Sequence, residues 1–416
     1  MSASSSYDVI VIGAGIIGAA IAWELNSAGR RVTIVDRGDP GMGCSYGNAA
    51  HFATEQIFPI ASPAIFRDIP RLLVARNSPL TFNAHSLLST LRWSLRFLRA
   101  SNRSSYTRGT RALAALNAGA LSDWQALLST IGQAQLLHRT GTLQLAESRR
   151  GVRELAAMQV ALSEHEVPSR MVGRDELPDY LPQLPDLAQG GLYFPETAYC
   201  LDPYLFFRTV FDACLANGVS FHHANVSALD DSNRPGVTVV TDSARLQANT
   251  VIVAGGVHSG ELLRPLGHRI PLIAERGYHL LLPHTRPTLK LPVTLHERQF
   301  IMTPLQSGIR LAGTVEFASP DDPPSMQRAQ MLYTQANEVF GGLDATGSSQ
   351  WMGCRPTLPD YLPVIDAPDN NRSLIVATGN HHLGLTQAAT VARCVRHLAQ
   401  GTAPPVNLAD FRLSRF

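Results

Sequence analysis

The sequence predicts an α/β fold in which a discontinuous, mainly parallel-sheet domain holds an inserted α+β domain built on a mixed or antiparallel sheet. Three observations lead there. The chain opens with a β-branched run, a glycine-rich turn, a helical stretch and a second apolar strand, the order of a βαβ unit. Another buried strand ending in glycines recurs at residues 251–256, and a last glycine-rich turn leads into a helix near the end, so the parts of that unit are spread along the chain. Between them, short alternating strands and turns replace the βαβ pattern, after Leu137 and again over residues 270–313.

With 416 residues and 45.1 kDa, the chain exceeds one ordinary core and suits two to three domains. Its hydrophobic fraction of 45% and charged fraction of only 16% allow a large core and exclude intrinsic disorder. The 35 basic and 33 acidic residues leave a net charge of +2, against a nucleic-acid binder. Fourteen scattered histidines show no metal-ligand spacing, so no metal is expected. Five cysteines, at 44, 200, 214, 354 and 394, form no C-x-x-C pair and suit buried thiols in a reducing compartment. The first seven residues carry no basic segment, and the apolar run 9–23 is short and broken by three glycines. A cytoplasmic protein, at most peripheral to a membrane, is the expectation.

Residues 8–12, DVIVI, read as a buried parallel strand, residues 19–28 as a helix, and residues 31–35 as a strand that ends on Asp36. Between the first two stands Gly13-Ala14-Gly15-Ile16-Ile17-Gly18. In a dinucleotide-binding turn the first glycine makes the tight bend, the second lets the backbone approach a pyrophosphate, and the third lets helix and sheet pack closely. Asp36, 18 positions after Gly18, is placed to accept hydrogen bonds from a ribose. The turn, the helix and the acidic strand end together make this a Rossmann-like unit. Residues 37–50, RGDPGMGCSYGNAA, then form a loop of small and hydroxylated residues where an NAD domain would turn into a helix. Such a loop can follow a longer ligand, with Ser45 and Asn48 as donors to phosphate or a flavin edge, or it can be an ordinary surface loop.

Residues 82–117 carry the longest helical pattern, with Leu87, Leu88, Leu91, Leu95 and Leu98 on one face and Arg92, Arg96, Arg99 and Arg103 on another. This face, with Trp93 and Phe97, can lie on an anionic membrane, or it is a solvated stripe on a helix packed inward. Helical pattern continues over 109–130 and returns over 198–217 and 385–400. Strands are expected at 191–194, 219–222, 237–241 and 251–253. The resulting division is 1–85, 196–268 and 350–416 for the nucleotide domain, and 86–195 and 269–349 for the inserted one.

The segments VIVIGAGIIGAAIAWELNSAGRRVTIVDR, CSYGNAAHF, TVIVAGG, ERGYHL and GCRPTLPDYLPVID with TGNHHLGLT match, together and along the whole chain, a known pattern. The protein resembles the FAD-dependent D-amino acid oxidase superfamily, within it the bacterial D-amino acid dehydrogenases. The resemblance implies a Rossmann-like FAD-binding domain with an inserted substrate domain, and non-covalent FAD, since Cys354 falls one position from the cysteine of relatives with covalent flavin. Gly13, Ala14, Gly15, Ile16, Ile17, Gly18 and Asp36 would hold the ADP half. Arg37, Ser45, Asn48 and Ala49 would follow the pyrophosphate to the flavin, Val226 would meet the adenine, and Gly255 would lie beside the nucleotide. Gly379, His381, His382, Leu383, Gly384, Leu385 and Thr386 would wrap the flavin's pyrimidine edge. Arg355 takes the place of the arginine that grips a substrate carboxylate. Phe300 stands where eukaryotic oxidases have an active-site tyrosine; Tyr278 could replace that hydroxyl or be a half-buried strand residue, and His51 could face substrate or cap the loop.

The implied chemistry is oxidative deamination of a D-amino acid, or dehydrogenation of a cyclic D-imino acid such as D-proline or hydroxy-D-proline, the latter suggested by His51-Phe52. Hydride would pass from the α-carbon to flavin N5, which needs alignment more than a strong base. Quinone is the implied acceptor if the enzyme is a dehydrogenase, the apolar stretch 55–100 serving as the docking region. A glycine- or sarcosine-type N-methyl amine oxidase, a non-catalytic flavin-binding redox module and an NAD dehydrogenase are the rival readings.

Overall fold

The structure is a computed structural model that describes residues 6–65, 80–82, 87–232, 236–285, 289–368 and 372–416. The start of the long helical pattern, 83–86, and residues 66–79 of the apolar stretch lie outside the described residues. Two large sheets organise it. In the eight-stranded sheet, Ser6–Ile12 pairs in parallel with Val32–Asp36 on one side and with Arg245–Val253 on the other. Ser220–His223 extends one edge in parallel, and Leu374–Thr378 pairs in parallel with the end of Arg245–Val253. The antiparallel strands Val226–Asp230 and Val237–Thr241 complete the first half of that long strand, and Val364–Asp366 closes the other side. Ile10, Ile34 and Val251 to Val253 are fully buried, as strands covered on both faces require.

The nine-stranded sheet is mixed. Its centre is an antiparallel run of Ser349–Thr357, Ile273–Leu282, Gly308–Phe317, Phe300–Leu305 and Val293–Leu295. Thr142–Ala146 joins in parallel, then Gly190–Phe194 and Arg170–Gly173 antiparallel. The helix Gln327–Phe340 covers one face with Ala329, Leu332, Ala336 and Val339.

Local chemistry moves several expected boundaries. The helix expected over 198–217 begins at Pro203, because Ala198–Tyr199 pairs with His51–Phe52 and Asp202 caps the helix by accepting from the Tyr204 and Leu205 amides. The pattern 82–117 is two helices, Leu87–Ala100 and Arg103–Ala118, separated by Asn102, which accepts from the Ser105 amide. Trp93 and Phe97 do not face outward: they stack with centroids 5.4 Å apart and pack with Phe317 and Tyr361. Leu91 and Leu95, 52% and 59% exposed, stand instead beside the exposed Arg92, Arg96 and Arg99.

The helices Arg103–Ala118 and Ala120–Thr130 share a core with Ile16–Ser27 and Gly384–Gln400. Trp124 Nε1 donates to the Leu385 carbonyl at 2.8 Å, Gln387 donates to Asn117 at 3.0 Å, and Thr390 donates to Asp123 at 2.7 Å. They fix the C-terminal helix behind the site. We propose that these helices belong with the nucleotide sheet and that the strand Ser349–Thr357 belongs with the inserted unit, in place of the divisions at 86 and 350.

Candidate functional site

One continuous cavity of about 2280 Å³ runs between the two sheets, from Asp36 and Val226 at one end to Arg355 and His51 at the other. Drug-sized ligand pockets measure roughly 300–1,000 Å³, so this one suits a dinucleotide and a further small molecule.

The glycine-rich turn forms the first end. Gly13 has φ +113°, and a Cβ there would stand 2.4 Å from the Ala254 carbonyl oxygen; one on Gly18 would stand 1.9 Å from the Gly13 oxygen. Both glycines are thus required by backbone packing, and Gly18 lies beneath the turn instead of lining the cavity. A Cβ on Gly15 would approach only Ser45 Oγ, at 3.3 Å, and Gly15 borders the cavity as the N-cap of the helix Ile16–Ser27, to which it brings no capping side chain. That is a cradle for a pyrophosphate. Asp36 accepts from the Ala14 amide at 2.7 Å and the Gly38 amide at 2.9 Å, fixing the carboxylate at the strand end. Ala14, Ile16, Ile17, Arg37, Ala49, Val226 and Gly255 also line the cavity.

The following loop is held by its carbonyls. His279 Nδ1 donates to Gly47 O at 2.9 Å, Arg310 donates to Asn48 O at 2.7 Å, and Thr303 donates to Ala49 O at 2.8 Å. Burial pushes His279 down to about 4, leaving a neutral ring that donates through Nδ1. The side chains of Ser45 and Asn48 differ from expectation. Ser45 Oγ accepts from the Ile16 amide, and Asn48 bonds Ser45 O and the Ala50 amide, so both are engaged within the protein.

At the far end Arg355 lies on Ser349–Thr357, opposite Glu275 of Ile273–Leu282. Its Nη1 donates to Glu275 Oε1 at 3.0 Å. Glu275 is 1% exposed and also accepts from Thr357 at 3.1 Å and Tyr361 at 3.0 Å. Gly277, two residues along the strand from Glu275, leaves room for the guanidinium: a Cβ there would stand 2.1 Å from Nη2. Arg355 keeps 22% of its side chain exposed to the cavity. Tyr278 points to the other face of its strand, as successive residues must. Its hydroxyl bonds Glu316 Oε2 at 2.5 Å and accepts from the Ser325 amide, and burial pushes it up to about 12. The structure therefore separates Tyr278 from Arg355. Phe300 offers no hydroxyl either.

His51 is buried at the cavity wall, its Nε2 2.9 Å from Thr142 Oγ1, and burial lowers it to about 3. Glu55 Oε1 lies 3.8 Å from the same nitrogen; burial raises Glu55 to about 8, and its Oε2 has no hydrogen-bond partner among the described residues. Gly379, at φ +87°, turns the chain into His381 and His382. His382 Nε2 donates to Gln56 Oε1 at 2.5 Å, which makes His382 Nδ1 the acceptor from His381 Nδ1 at 3.0 Å. Gly384 and Leu385 put the N-terminus of Gly384–Gln400 on the cavity, where it favours an electron-rich ring edge. Leu383 and Thr386 do not line it: Leu383 packs in the core, and Thr386 Oγ1 accepts from the Ala53 amide at 2.9 Å. Glu275, Gly277, Tyr361, Glu55, His279, Thr303 and Arg310 were not singled out from the sequence. The segment ERGYHL contains three of them, and a glutamate inside an apolar strand was the available signal.

A βαβ cradle for a dinucleotide, facing a mixed sheet that presents an arginine, defines a flavin-dependent oxidoreductase. The chain belongs to the FAD dependent oxidoreductase family (DAO), whose model matches residues 8–398. It is 31% identical to the D-amino acid dehydrogenase of Rhizobium johnstonii, over 98% of this chain and 99% of the relative. It is 29% identical to the D-amino-acid oxidase of Bradyrhizobium diazoefficiens, over 98% of both. The solved glycine oxidase of Geobacillus kaustophilus superposes with a TM-score of 0.77 at 20% identity, over 99% of each chain. FAD is the cofactor of this family, and the helix N-terminus at Gly15, the open Gly15 backbone and the extended cavity fit it.

Proposed function

We propose that the protein dehydrogenates D-amino acids, with cyclic D-imino acids such as D-proline or hydroxy-D-proline as the finer substrate reading. The observation that carries it is Arg355, seated by Glu275 over Gly277 in the same cavity as the nucleotide cradle. The whole-length likeness to a D-amino acid dehydrogenase and a D-amino-acid oxidase supports it. Gly13, Gly15 and Asp36 would hold the ADP half of FAD, while residues 47–49 and 379–385 would border the flavin. FAD, when bound, supplies the acceptor of the α-hydrogen and its electron pair. Arg355 anchors the carboxylate and so holds the α-carbon within reach of the flavin. The neutral His51 adds no charge to compete for that carboxylate. Loss of the hydride leaves an imine, which water hydrolyses to a 2-oxo acid and ammonia, or opens when the imine is cyclic.

An anaerobic panel of D- and L-amino acids with glycine and sarcosine tests this by flavin bleaching. D-isomers, including D-proline, bleach the flavin; bleaching by glycine and sarcosine alone would establish the N-methyl amine reading, and no bleaching would leave a redox module.

Quinone is the acceptor in this reading, reached from a membrane surface. Among the described residues no helix is long and apolar enough to cross a membrane. The exposed Leu91 and Leu95 beside Arg92, Arg96, Arg99 and Arg103 support peripheral contact. Stoichiometric peroxide, with no binding to anionic vesicles at low salt, would make it an oxidase whose arginine stripe is only solvated.

A further inference from the structure

The strand Gly308–Phe317 carries an irregularity beside Arg355. Across from it on Ile273–Leu282, Arg276 pairs with Glu316 and Tyr278 pairs with Gly313, so the single residue Gly277 is opposed by both Thr314 and Val315. This is a β-bulge, the device by which a sheet re-aims one side chain. Thr314 sits in it at φ +58°, a conformation that β-branched residues rarely hold. The residue is 6% exposed and lines the cavity, yet its Oγ1 is buried without a partner among the described residues. Backbone strain and an unpaired buried hydroxyl at one position point to a ligand that completes it.

The neighbour of that hydroxyl indicates which ligand group. Arg355 reaches over Gly277 from the strand on the other side, close enough that a Cβ on Gly277 would meet Nη2 at 2.1 Å. Thr314 and the guanidinium therefore flank the same glycine. Glu275 occupies Nη1, which leaves the Nη2 edge open. Neither Tyr278, turned away, nor Phe300 brings a hydroxyl there.

We propose that Thr314 Oγ1 donates the second hydrogen bond to the substrate carboxylate, beside Arg355. This rests on the reading of Arg355 as the carboxylate anchor, and the two are separable by experiment.

Propionate and D-alanine, which differ only by the amine, are the probes for the flavin-loaded protein. Propionate binding is read from the flavin spectrum, and D-alanine turnover gives kcat/KM. Thr314→Val removes the hydroxyl; Thr314→Gly removes it while favouring the observed φ, so it folds even where the valine variant does not. Both variants are expected to weaken propionate binding and D-alanine kcat/KM by roughly ten- to a hundredfold, the loss of one hydrogen bond to a charged group. Thr314→Ser is expected to stay within about threefold of the parent. Wild-type propionate affinity in the glycine variant would overturn the proposal. So would a loss for D-alanine with none for propionate, which would assign the hydroxyl to the amine. If Arg355→Lys leaves propionate affinity unchanged, the anchor reading itself fails, whatever Thr314 does.

Discussion

At the nucleotide end of the cavity, Gly13, Gly15, Gly18 and Asp36 come from one strand–turn–helix–strand unit, and the atoms that exclude side chains at Gly13 and Gly18 are backbone carbonyls, of Ala254 and Gly13. At the substrate end, Arg355, Glu275, Gly277 and Thr314 come from three strands of another sheet, and each depends on the register of the others. A glycine illustrates the difference. The atom that excludes a side chain at Gly18 is backbone, the Gly13 carbonyl oxygen, whereas at Gly277 it is the far end of a flexible guanidinium. The first end is rigid by construction; the second holds one charged group by mutual support.

The largest test of this contrast is Gly18→Ala. Its Cβ would meet the Gly13 oxygen at 1.9 Å, and neither partner can move without shifting helix against strand. Overpacking costs about 1–3 kcal/mol and occasionally more, and a backbone clash this close belongs at the upper end. The variant is expected to purify without flavin and to melt earlier. A fully loaded variant with unchanged Tm would show that the turn has more freedom than its packing indicates.

Arg355→Lys comes next. A lysine keeps the charge but loses the planar fork, a loss on the order of 1.5–3 kcal/mol. KM for D-substrates should rise by about one to two orders of magnitude with bound flavin retained. Gly277→Ala reaches the same group from the other side. Its methyl would displace Nη2, so KM should rise about tenfold while Tm changes little, the reverse of the outcome at Gly18. Equal melting losses in both alanine variants would erase the proposed contrast.

The same contrast governed what could be read in advance. The glycine turn is local, and the strand, helix and Asp36 around it were legible as a run of residues. Arg355 was legible only through the resemblance of GCRPTLPDYLPVID to a family pattern. Its partners required the pairing of residues some eighty positions apart: Glu275 opposite Arg355 follows from strand register, which no local pattern specifies. The bulge at Thr314 leaves no mark in an otherwise alternating strand. For Trp93 and Phe97 an outward and an inward reading stayed open, because periodicity shows which residues share a face but not which face is covered. The break at Asn102 and the late start at Pro203 were, by contrast, readable as cap signals and were passed over in favour of continuous helical pattern.

The smallest effect concerns Glu55, beside His51 in the cavity wall. Burial raises this carboxyl from an ordinary 4.5 to about 8, so the folded protein holds it protonated where the unfolded chain is ionised. Its neighbour His51 is shifted the opposite way, from 6.5 to about 3, and is held neutral. For Glu55 the folded state binds the extra proton between these values, so its contribution is full below pH 4.5 and declines as pH rises to about 8. His51 contributes the reverse slope, with stability lost as pH falls from 6.5 toward 3. Glu55→Gln removes only the first. Relative to the parent, the flavin-loaded variant should gain stability steadily as pH rises toward 8 and almost nothing at pH 4.5, read as a Tm difference that grows with pH. A difference that is constant across that range would mean the carboxyl is solvated in the working protein. The cavity wall beside His51 would then be wet.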